Sequence, residues 1–197
     1  LMSLGKKSRK NLKYYRHLLE REIGVVQLKI TEPTHHEDSQ RMFDTFLHLE
    51  QSGWKGEQGT SIAQRKQSKL FHSALCDTAS DKGLLRWYQL FAGEKLVSKN
   101  MVLHRGSTLW VMKTAYDEHA RRYSPGALGL TELLKTAIED PQISSVRMIT
   151  NYPWLDKWRP DKEVYYGVRI SLPSILGRIA CLGLQTLGKD WKYLERG

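Results

Sequence analysis

Three strand-like runs near the middle of the chain constrain its fold more than any other feature. The runs are Leu85–Phe91, Lys95–His104 and Thr108–Thr114, and they contain many of the aromatic, β-branched and long apolar residues that favour strands. They are separated by Ala92-Gly93-Glu94 and by Arg105-Gly106-Ser107, and short connections with a central glycine are typical of β-hairpins. The pattern predicts an antiparallel three-stranded meander.

Helices and further strands are predicted on both sides of the meander. In chain order these are a basic helix at 8–22, a strand at 25–30, a helix from 37 to the glycine-containing segment at 52–56, a helix at 62–80, a helix that begins after 124, strands at 145–149 and 164–170, and a helical tail at 173–191. A meander followed by a crossover helix and another strand predicts an α+β fold with a mixed, mostly antiparallel sheet flanked by helices. The residues assigned to the buried side of the helix at 62–80 are Leu70, Phe71, Ala74 and Leu75.

The chain is basic, and part of its positive charge is concentrated near its beginning. Its net charge is +10, and the first 21 residues contain seven lysines and arginines against Glu20 alone. Such a segment can contact nucleic acid, anionic lipid or another acidic ligand, or it can form only a solvated helix face. No zinc-finger, helix-turn-helix or RNP pattern accompanies it, so nucleic acid is the less favoured partner.

Several sequence features favour a cytoplasmic protein, with contact at the inner membrane face through the basic helix as an option. No apolar run approaches the roughly 20 residues that cross a bilayer, and the basic N-terminus lacks the apolar core of a signal peptide. Cys76 and Cys181 are far apart and lack metal-ligand spacing, so we expect two reduced thiols.

Two uncommon strings carry a resemblance to a known family. The first, at 49–62, contains Glu50-Gln51-Ser52-Gly53-Trp54-Lys55-Gly56, and the second contains Tyr116-Asp117-Glu118 followed by Ser124-Pro125-Gly126. Together they resemble the acetyltransferases of the CelD/BcsL type, a GNAT branch linked to cellulose and exopolysaccharide biosynthesis and related to the FemAB-like aminoacyl transferases. The resemblance covers roughly residues 6–160, including the basic opening and a tryptophan-rich loop at 151–160.

The resemblance implies a GNAT fold and the activity that belongs to it. It implies transfer of an acetyl or acyl group from acyl-CoA, without a metal, to an amine or hydroxyl of a sugar or glycan precursor in polysaccharide biosynthesis. The expected organisation is a basic helix at 1–24, a GNAT-like catalytic domain at 25–172 and an amphipathic helical tail at 173–197. Many family members carry an N-terminal GNAT-like half before this one, so Leu1 suggests a fragment of a longer protein.

Two other functions remain as alternatives at this stage. One is FemAB-like transfer of an aminoacyl group from tRNA, which the basic helix would suit. The other is a non-catalytic GNAT-fold module that binds at a polysaccharide-synthesis complex, with the basic helix and the apolar tail as its working surfaces.

The turn at Ser124-Pro125-Gly126 is the predicted site for the pyrophosphate of the acyl donor. A helix N-terminus offers unpaired N–H groups and the positive end of the helix dipole to an anion. Pro125 suits the first helical position, and Gly126 allows close backbone approach. The residues assigned to donor binding are Ser124, Pro125, Gly126, Ala127, Leu128 and Gly129, with the Arg121 and Arg122 side chains as additional phosphate contacts. An ordinary helix cap is the structural alternative.

Three carboxylates are candidates for the base that removes the proton of the acceptor. Asp117 is the preferred base, Glu50 is next, and Glu118 is the third. The structural alternatives are a turn cap for Asp117 and an ion pair with Lys55 for Glu50.

The acceptor is predicted to contact residues from both strings. Trp54, Lys55 and Tyr116 are assigned to acceptor binding, with core packing as the alternative for the indole. His35 and His36 have no third ligand at metal spacing, so no metal is expected. Direct transfer from the thioester is the simplest mechanism, because no serine or cysteine has an evident activating partner.

Overall fold

A computed structural model describes residues 4–149 and 153–164. The chain divides into two compact units, residues 1–149 and 150–197, and each is described by itself. The helices and strands of the first unit are α1 (Lys6–Glu22), β1 (Val26–Thr31), α2 (His36–Gln51), α3 (Trp54–Glu57), α4 (Lys66–Asp81), β2 (Leu85–Ala92), β3 (Lys95–Arg105), β4 (Thr108–Tyr116), a 3-10 helix (Glu118–Tyr123), α5 (Pro125–Glu139) and β5 (Ser145–Met148).

The described strands form one sheet in the order β1-β2-β3-β4-β5. From β1 to β4, each strand pairs antiparallel with the next strand in the chain. Strand β5 follows the crossover helix α5 and pairs parallel to β4. The predicted meander and crossover are confirmed, and so is the mixed α+β sheet flanked by helices.

The two faces of the sheet are covered by different helices. Helices α2 and α4 pack on one face, where Phe43, Phe46 and Trp87 belong to the buried cluster. Helix α5 packs on the other face, where Leu133 joins Tyr88 and strand residues of β3 and β4. This three-layer arrangement buries the apolar side of every strand in the meander.

Helix α5 lies unusually close to β3 because Gly129 faces the strand. A Cβ added at Gly129 would lie 2.6 Å from Ser98 Oγ and 3.1 Å from Ser98 Cβ. A methyl group there would force the helix away from the sheet. Gly129 is therefore a packing residue that fixes the height of α5 above β3.

The apolar side predicted for α4 is correct only at Leu75, which packs against the buried cluster on this face of the sheet. Leu70, Phe71 and Ala74 are exposed, the first two at 62%, whereas His72 and Cys76 are buried. Polar contacts set the rotation of the helix: Gln40 Nε2 of α2 donates to both carboxylate oxygens of Asp77, at 2.7 and 2.8 Å. These bonds turn the Asp77 side of α4 towards α2 and leave its first apolar pair in solvent.

The second unit is described over residues 153–164. Pro153–Trp158 forms a 3-10 helix, in which the Trp154 and Trp158 rings meet edge to face with centroids 5.6 Å apart. The predicted strand at 164–170, apart from its first residue, and the predicted tail at 173–197 lie outside the described residues. Over the parts of the chain that the structure describes, no helix has the length and apolarity needed to cross a membrane.

Candidate functional site

The sheet opens where β4 extends beyond the end of its partner β5. Strand β4 pairs with β5 from Thr108 to Val111, but it continues along β3 as far as Tyr116. A β-bulge marks the point of separation: Val102 pairs with Val111 and Met101 pairs with Lys113, so Met112 is an extra residue on β4. The last five residues of β4 thus border an opening in the sheet, and the chain then leads into α5.

The N-terminus of α5 lies at this opening and offers two unpaired backbone donors. Ser124 has a left-handed backbone conformation with φ 52° and ψ 49°, and its carbonyl accepts the Leu128 N–H at 3.0 Å. Pro125 has no N–H. The amides of Gly126 and Ala127 therefore find no acceptor among the residues that the structure describes. Among the residues assigned to acyl-donor binding, Gly126 and Ala127 thus offer free amides, whereas the amides of Ser124 and Leu128 are already hydrogen-bonded.

Tyr116 covers the first turn of α5. A Cβ added at Gly126 would lie 3.2 Å from Tyr116 Cδ1, so the aromatic ring rests directly against the glycine. Tyr116 is the last residue of β4, whereas the predicted strand ends at Thr114. Its pairing with Ser98 of β3 extends the strand by two residues. Burial and the nearby negative charge of Glu118 raise the Tyr116 pKa, so the phenol stays protonated at neutral pH.

Glu118 presents a buried carboxylate oxygen to the same region. Its Oε2 is buried and makes no hydrogen bond of ordinary geometry within the described chain, its Oε1 lies 3.3 Å from Arg121 Nη1, and the Tyr116 hydroxyl interacts with the carboxylate. A Cβ added at Gly53 would lie 3.5 Å from Glu118 Oε2. The fold thus brings the two uncommon strings together, because Gly53 belongs to the first and Glu118 to the second.

Asp117 is engaged as the cap of the 3-10 helix. Its Oδ1 accepts the His119 N–H at 3.0 Å, and its Oδ2 lies 2.7 Å from Lys95 Nζ. Burial alone would raise the Asp117 pKa, but hydrogen bonds from Lys95 and His119 outweigh it and hold the pKa below its ordinary value. These contacts match the turn cap that was the structural alternative, and they make Asp117 a weaker base than a free carboxylate.

Glu50 is buried at the end of α2, where it holds the following segment. Its Oε2 accepts the Ile62 N–H at 2.8 Å, twelve residues further along the chain. The carboxylate therefore ties the end of the first string back to its beginning. Gly56 lies within this fold-back, and a Cβ there would be 1.8 Å from the Gln51 carbonyl oxygen. The glycine is thus required by close backbone contact.

The two arginines before α5 differ in their contacts. Arg122 binds the Glu22 carboxylate of α1 and the Tyr123 hydroxyl, so its guanidinium links the turn to α1. Arg121 has a side chain that is 78% exposed and contacts Glu118 at 3.3 Å. Of the two predicted phosphate contacts, Arg121 is the freer side chain.

The predicted acceptor residues Trp54 and Lys55 form the start of α3. Their backbone directly follows Gly53, which contacts Glu118. The structure thereby locates the start of α3 beside the carboxylate.

A buried polar pair beneath α5 was missed by the sequence analysis. Asn100 is fully buried on β3, and its Oδ1 accepts the Thr114 hydroxyl at 2.8 Å. Its Nδ2 has no partner among the described residues and faces the first turns of α5. The signal was present in the sequence, because Ser98 and Asn100 place two polar residues on the same side of a central strand of the predicted meander.

Comparisons with known proteins agree with this geometry. The family model described as "Acetyltransferase (GNAT) domain" matches residues 6–154. A structure described as a "possible acetyltransferase" from Clostridium difficile 630 is 12% identical, covers 76% of this chain and 99% of its own, and has a TM-score of 0.50. An aminoglycoside acetyltransferase from an uncultured soil metagenomic sample is 8% identical, covers 74% and 99%, and also has a TM-score of 0.50. A search of curated proteins found no match.

The family match covers most of the chain, and the similar structures share its fold. At these low identities the structural similarity concerns the fold, and the family match carries the activity. The chain belongs to the GNAT acetyltransferase family and is an enzyme that uses acyl-CoA as its acyl donor.

Proposed function

We propose that this enzyme acetylates an amine or hydroxyl of a sugar or glycan precursor in polysaccharide biosynthesis, as a member of the CelD/BcsL branch. The two uncommon strings support the branch assignment. The contacts between Gly53 and Glu118, and between Tyr116 and Gly126, join both strings in one site. A shared site gives a functional reason for both strings to occur in one chain.

The donor site proposed here is the first turn of α5. The free amides of Gly126 and Ala127 and the positive end of the helix dipole suit the pyrophosphate of acetyl-CoA. Arg121 is exposed nearby and can contribute a charge-assisted contact. The observation that carries this proposal is the pair of unpaired amides at the mouth of the opened sheet.

Glu118 is the base that the contacts favour over Asp117 and Glu50. Asp117 is committed to Lys95 and His119, and Glu50 holds the Ile62 amide. Among the described residues Glu118 holds neither a backbone amide nor a lysine: its Oε1 lies 3.3 Å from the exposed Arg121, and the Tyr116 hydroxyl is the other group near its carboxylate. A carboxylate with these weaker commitments can accept a proton directly or through one water molecule.

The proposed reaction is a direct transfer. The acceptor nitrogen or oxygen forms a bond to the acetyl carbon while the carbon–sulfur bond breaks, and coenzyme A leaves as the thiolate. Glu118 receives the acceptor proton. Tyr116, whose raised pKa keeps it protonated, donates a hydrogen bond to the thioester as negative charge develops on it.

Calorimetric titration with acetyl-CoA tests the donor site. We expect binding to the unaltered chain and its loss in Gly126→Glu, because the new side chain would clash with Tyr116 and repel the pyrophosphate. Gln142→Glu is the matched control, since it adds the same charge on an exposed residue after the far end of α5. If the unaltered chain does not bind acetyl-CoA, the donor proposal fails, and if Gly126→Glu binds normally, the site assignment fails.

The acceptor is tested by following thiol release with amino sugars and nucleotide sugars. Turnover with any of them supports the proposed acceptor class. A salt-sensitive shift with tRNA, without turnover on sugars, would favour the FemAB-like alternative instead. If both assays are negative, the non-catalytic binding module becomes the better description.

A further inference from the structure

The first half of α1 presents a continuous cationic face to solvent. Its exposed cations are Lys6, Lys7, Arg9, Lys10 and Lys13. At 100° per residue these side chains occupy an arc of about 160° on the helix. Within the described chain none of them forms an ion pair. Of the acidic residues of α1, Glu20 lies within the same arc but about two turns beyond Lys13, where it pairs with Arg16. Glu22 lies off the arc and pairs with Arg21 and Arg122.

This charge distribution works against the stability of the helix itself. The first turn of α1 contains no acidic residue, although the positive end of a helix dipole favours carboxylates. Lys6 and Lys10 are four residues apart, as are Arg9 and Lys13, and like charges at this spacing repel. The cations therefore do not stabilise α1, and their charges remain available to an anionic partner.

The chemistry of the face favours a diffuse anionic surface. Four of the five cations are lysines, which act as point charges, whereas recognition of individual nucleic-acid phosphates favours the bidentate guanidinium of arginine. The apolar side of α1 is already used inside the fold, because Leu12 and Leu19 are buried. The helix is therefore held on the domain surface and cannot insert its apolar side into another partner.

An exposed aromatic side chain lies at the edge of the cationic arc. Tyr14 is 60% exposed and lies about 80° from Lys6 on the helical wheel. Tyrosine favours the headgroup region of a bilayer, where its ring and its hydroxyl find suitable surroundings. Its position beside Lys7 and Lys10 agrees with a helix that rests on lipid headgroups.

We infer that α1 docks the domain by charge onto bilayers that contain anionic lipids. Clusters of four to eight lysines and arginines on a helix are attracted to such surfaces, each contributing modestly. Docking is independent of the acyl-transfer proposal, because none of the five cations belongs to the donor turn. It would bring the enzyme to a membrane where lipid-linked acceptors are available.

Co-sedimentation with vesicles tests the inference. The 197-residue chain is mixed with vesicles of phosphatidylcholine alone or with 30 mol% phosphatidylglycerol, a composition of about one anionic lipid in three chosen for a strong surface potential. We expect binding to the anionic vesicles, little binding to the neutral ones, and release near 1 M salt, where the Debye length is about 3 Å. Replacing Lys6, Lys7, Lys10 and Lys13 with glutamine should weaken binding on the order of 100- to 1,000-fold.

A matched variant distinguishes an effect of the α1 surface on vesicle binding from an effect of the overall charge of the chain. It replaces four other exposed lysines with glutamine, namely Lys29, Lys66, Lys69 and Lys82, and should keep its vesicle binding within about five-fold. The α1 variant should also melt at the same or a higher temperature, because it loses repulsive pairs, and should still bind acetyl-CoA.

Three results would overturn the inference. They are equal vesicle binding by both quadruple variants, equal binding to neutral and anionic vesicles, and displacement of the chain from vesicles by tRNA at equal phosphate concentration. The last result would assign the face to nucleic acid. Loss of acetyl-CoA binding in the unaltered chain would concern only the proposed function.

Discussion

Lys99 is a buried cation on β3, and replacing it with methionine should make the domain more stable at neutral pH. The side chain is 0% exposed, and its Nζ donates to the Met42 carbonyl at 2.7 Å. The ammonium also lies 4.6 Å from the centroid of the Trp87 ring. Within the described residues no carboxylate pairs with it, so these contacts replace only part of its hydration.

The energetic consequence follows from the pKa of this lysine. Burial lowers the Lys99 pKa from 10.5 to about 7. At 1.36 kcal/mol per pH unit, the protonated side chain costs the fold about 5 kcal/mol at low pH. Methionine fills a similar volume without charge and loses one hydrogen bond, worth about 1 kcal/mol. The variant should therefore gain about 3 to 4 kcal/mol in the free energy of unfolding at pH 6.5.

The sign of the pH dependence is fixed by which state binds the proton. Between about pH 7 and pH 10.5 the unfolded chain keeps the Lys99 proton and the folded chain has lost it, so the stability of the unaltered protein rises with pH. From pH 6.5 to 8.5 this rise is about 2 kcal/mol, and the methionine variant lacks it. The measurement stops at pH 8.5 because burial raises the Cys76 pKa to about 12. Above about pH 9 the thiol loses its proton in the unfolded chain but keeps it in the folded one, and this opposes folding.

Urea unfolding at pH 6.5, 7.5 and 8.5 measures this difference, with fluorescence and circular dichroism required to give one transition. Lys82→Met, at an exposed position, is the control and should follow the unaltered protein at every pH. A methionine variant at position 99 that is less stable at pH 6.5 would refute the argument. So would a stability difference that does not change with pH.

Three further predictions concern the site and its support. Glu118→Gln should lower kcat by about 100- to 10,000-fold with little change in acetyl-CoA affinity, and normal turnover would remove Glu118 as the base. Asp117→Asn should cost about 1 kcal/mol in urea unfolding through the lost cap. Since the Asp117 pKa is lowered, its stabilisation should be present at neutral pH and disappear as pH falls through that pKa; an Asn variant with the same acid sensitivity as the unaltered chain would contradict this. Gly129→Ala should cost about 1 to 3 kcal/mol because its Cβ would meet Ser98, and an unchanged melting temperature would show that α5 can move freely.

Local patterns were sufficient to predict most of the fold. The meander has strong periodicity and clear turn glycines, and its observed strand bounds lie within two residues of those predicted. Helix α5 begins after residue 124, as its periodicity and the Pro-Gly pair predicted. The end of β4 was misplaced because Tyr116 is held in the strand by Ser98, a partner 18 positions away in sequence. The buried side of α4 was predicted correctly at Leu75 but not at Leu70 and Phe71, because the helix also turns Asp77 towards Gln40 of α2. Long-range contacts of this kind have no local signature.

The sequence was sufficient to predict which segments form the candidate site, but it did not show which residue of each segment has which role. Asp117 and Glu118 are adjacent, and a sequence gives no means of ranking two neighbouring carboxylates. In the structure Asp117 turns to Lys95 and caps the 3-10 helix, while Glu118 turns to Gly53 and has only Arg121 and Tyr116 near its carboxylate within the described chain. The ranking follows from which partners each carboxylate already has, and Lys95, on β3, is more than 20 positions from both in the sequence.

The turn at Ser124-Pro125-Gly126, where the acyl donor is proposed to bind, depends on α1 as well as on the strand that precedes it. Ser124 has a left-handed backbone, which costs about 1 to 2 kcal/mol for a residue with a Cβ and therefore needs fixed neighbours. Tyr123, directly before it, is buried and donates its hydroxyl hydrogen to Glu22 of α1 at 2.8 Å. Arg16 of the same helix pairs with Glu132 of α5 at 2.9 Å. Helix α1 thus holds the chain on both sides of the turn with its inner face. Because the five exposed cations of α1 take no part in these contacts, docking on lipid would leave the contacts in place.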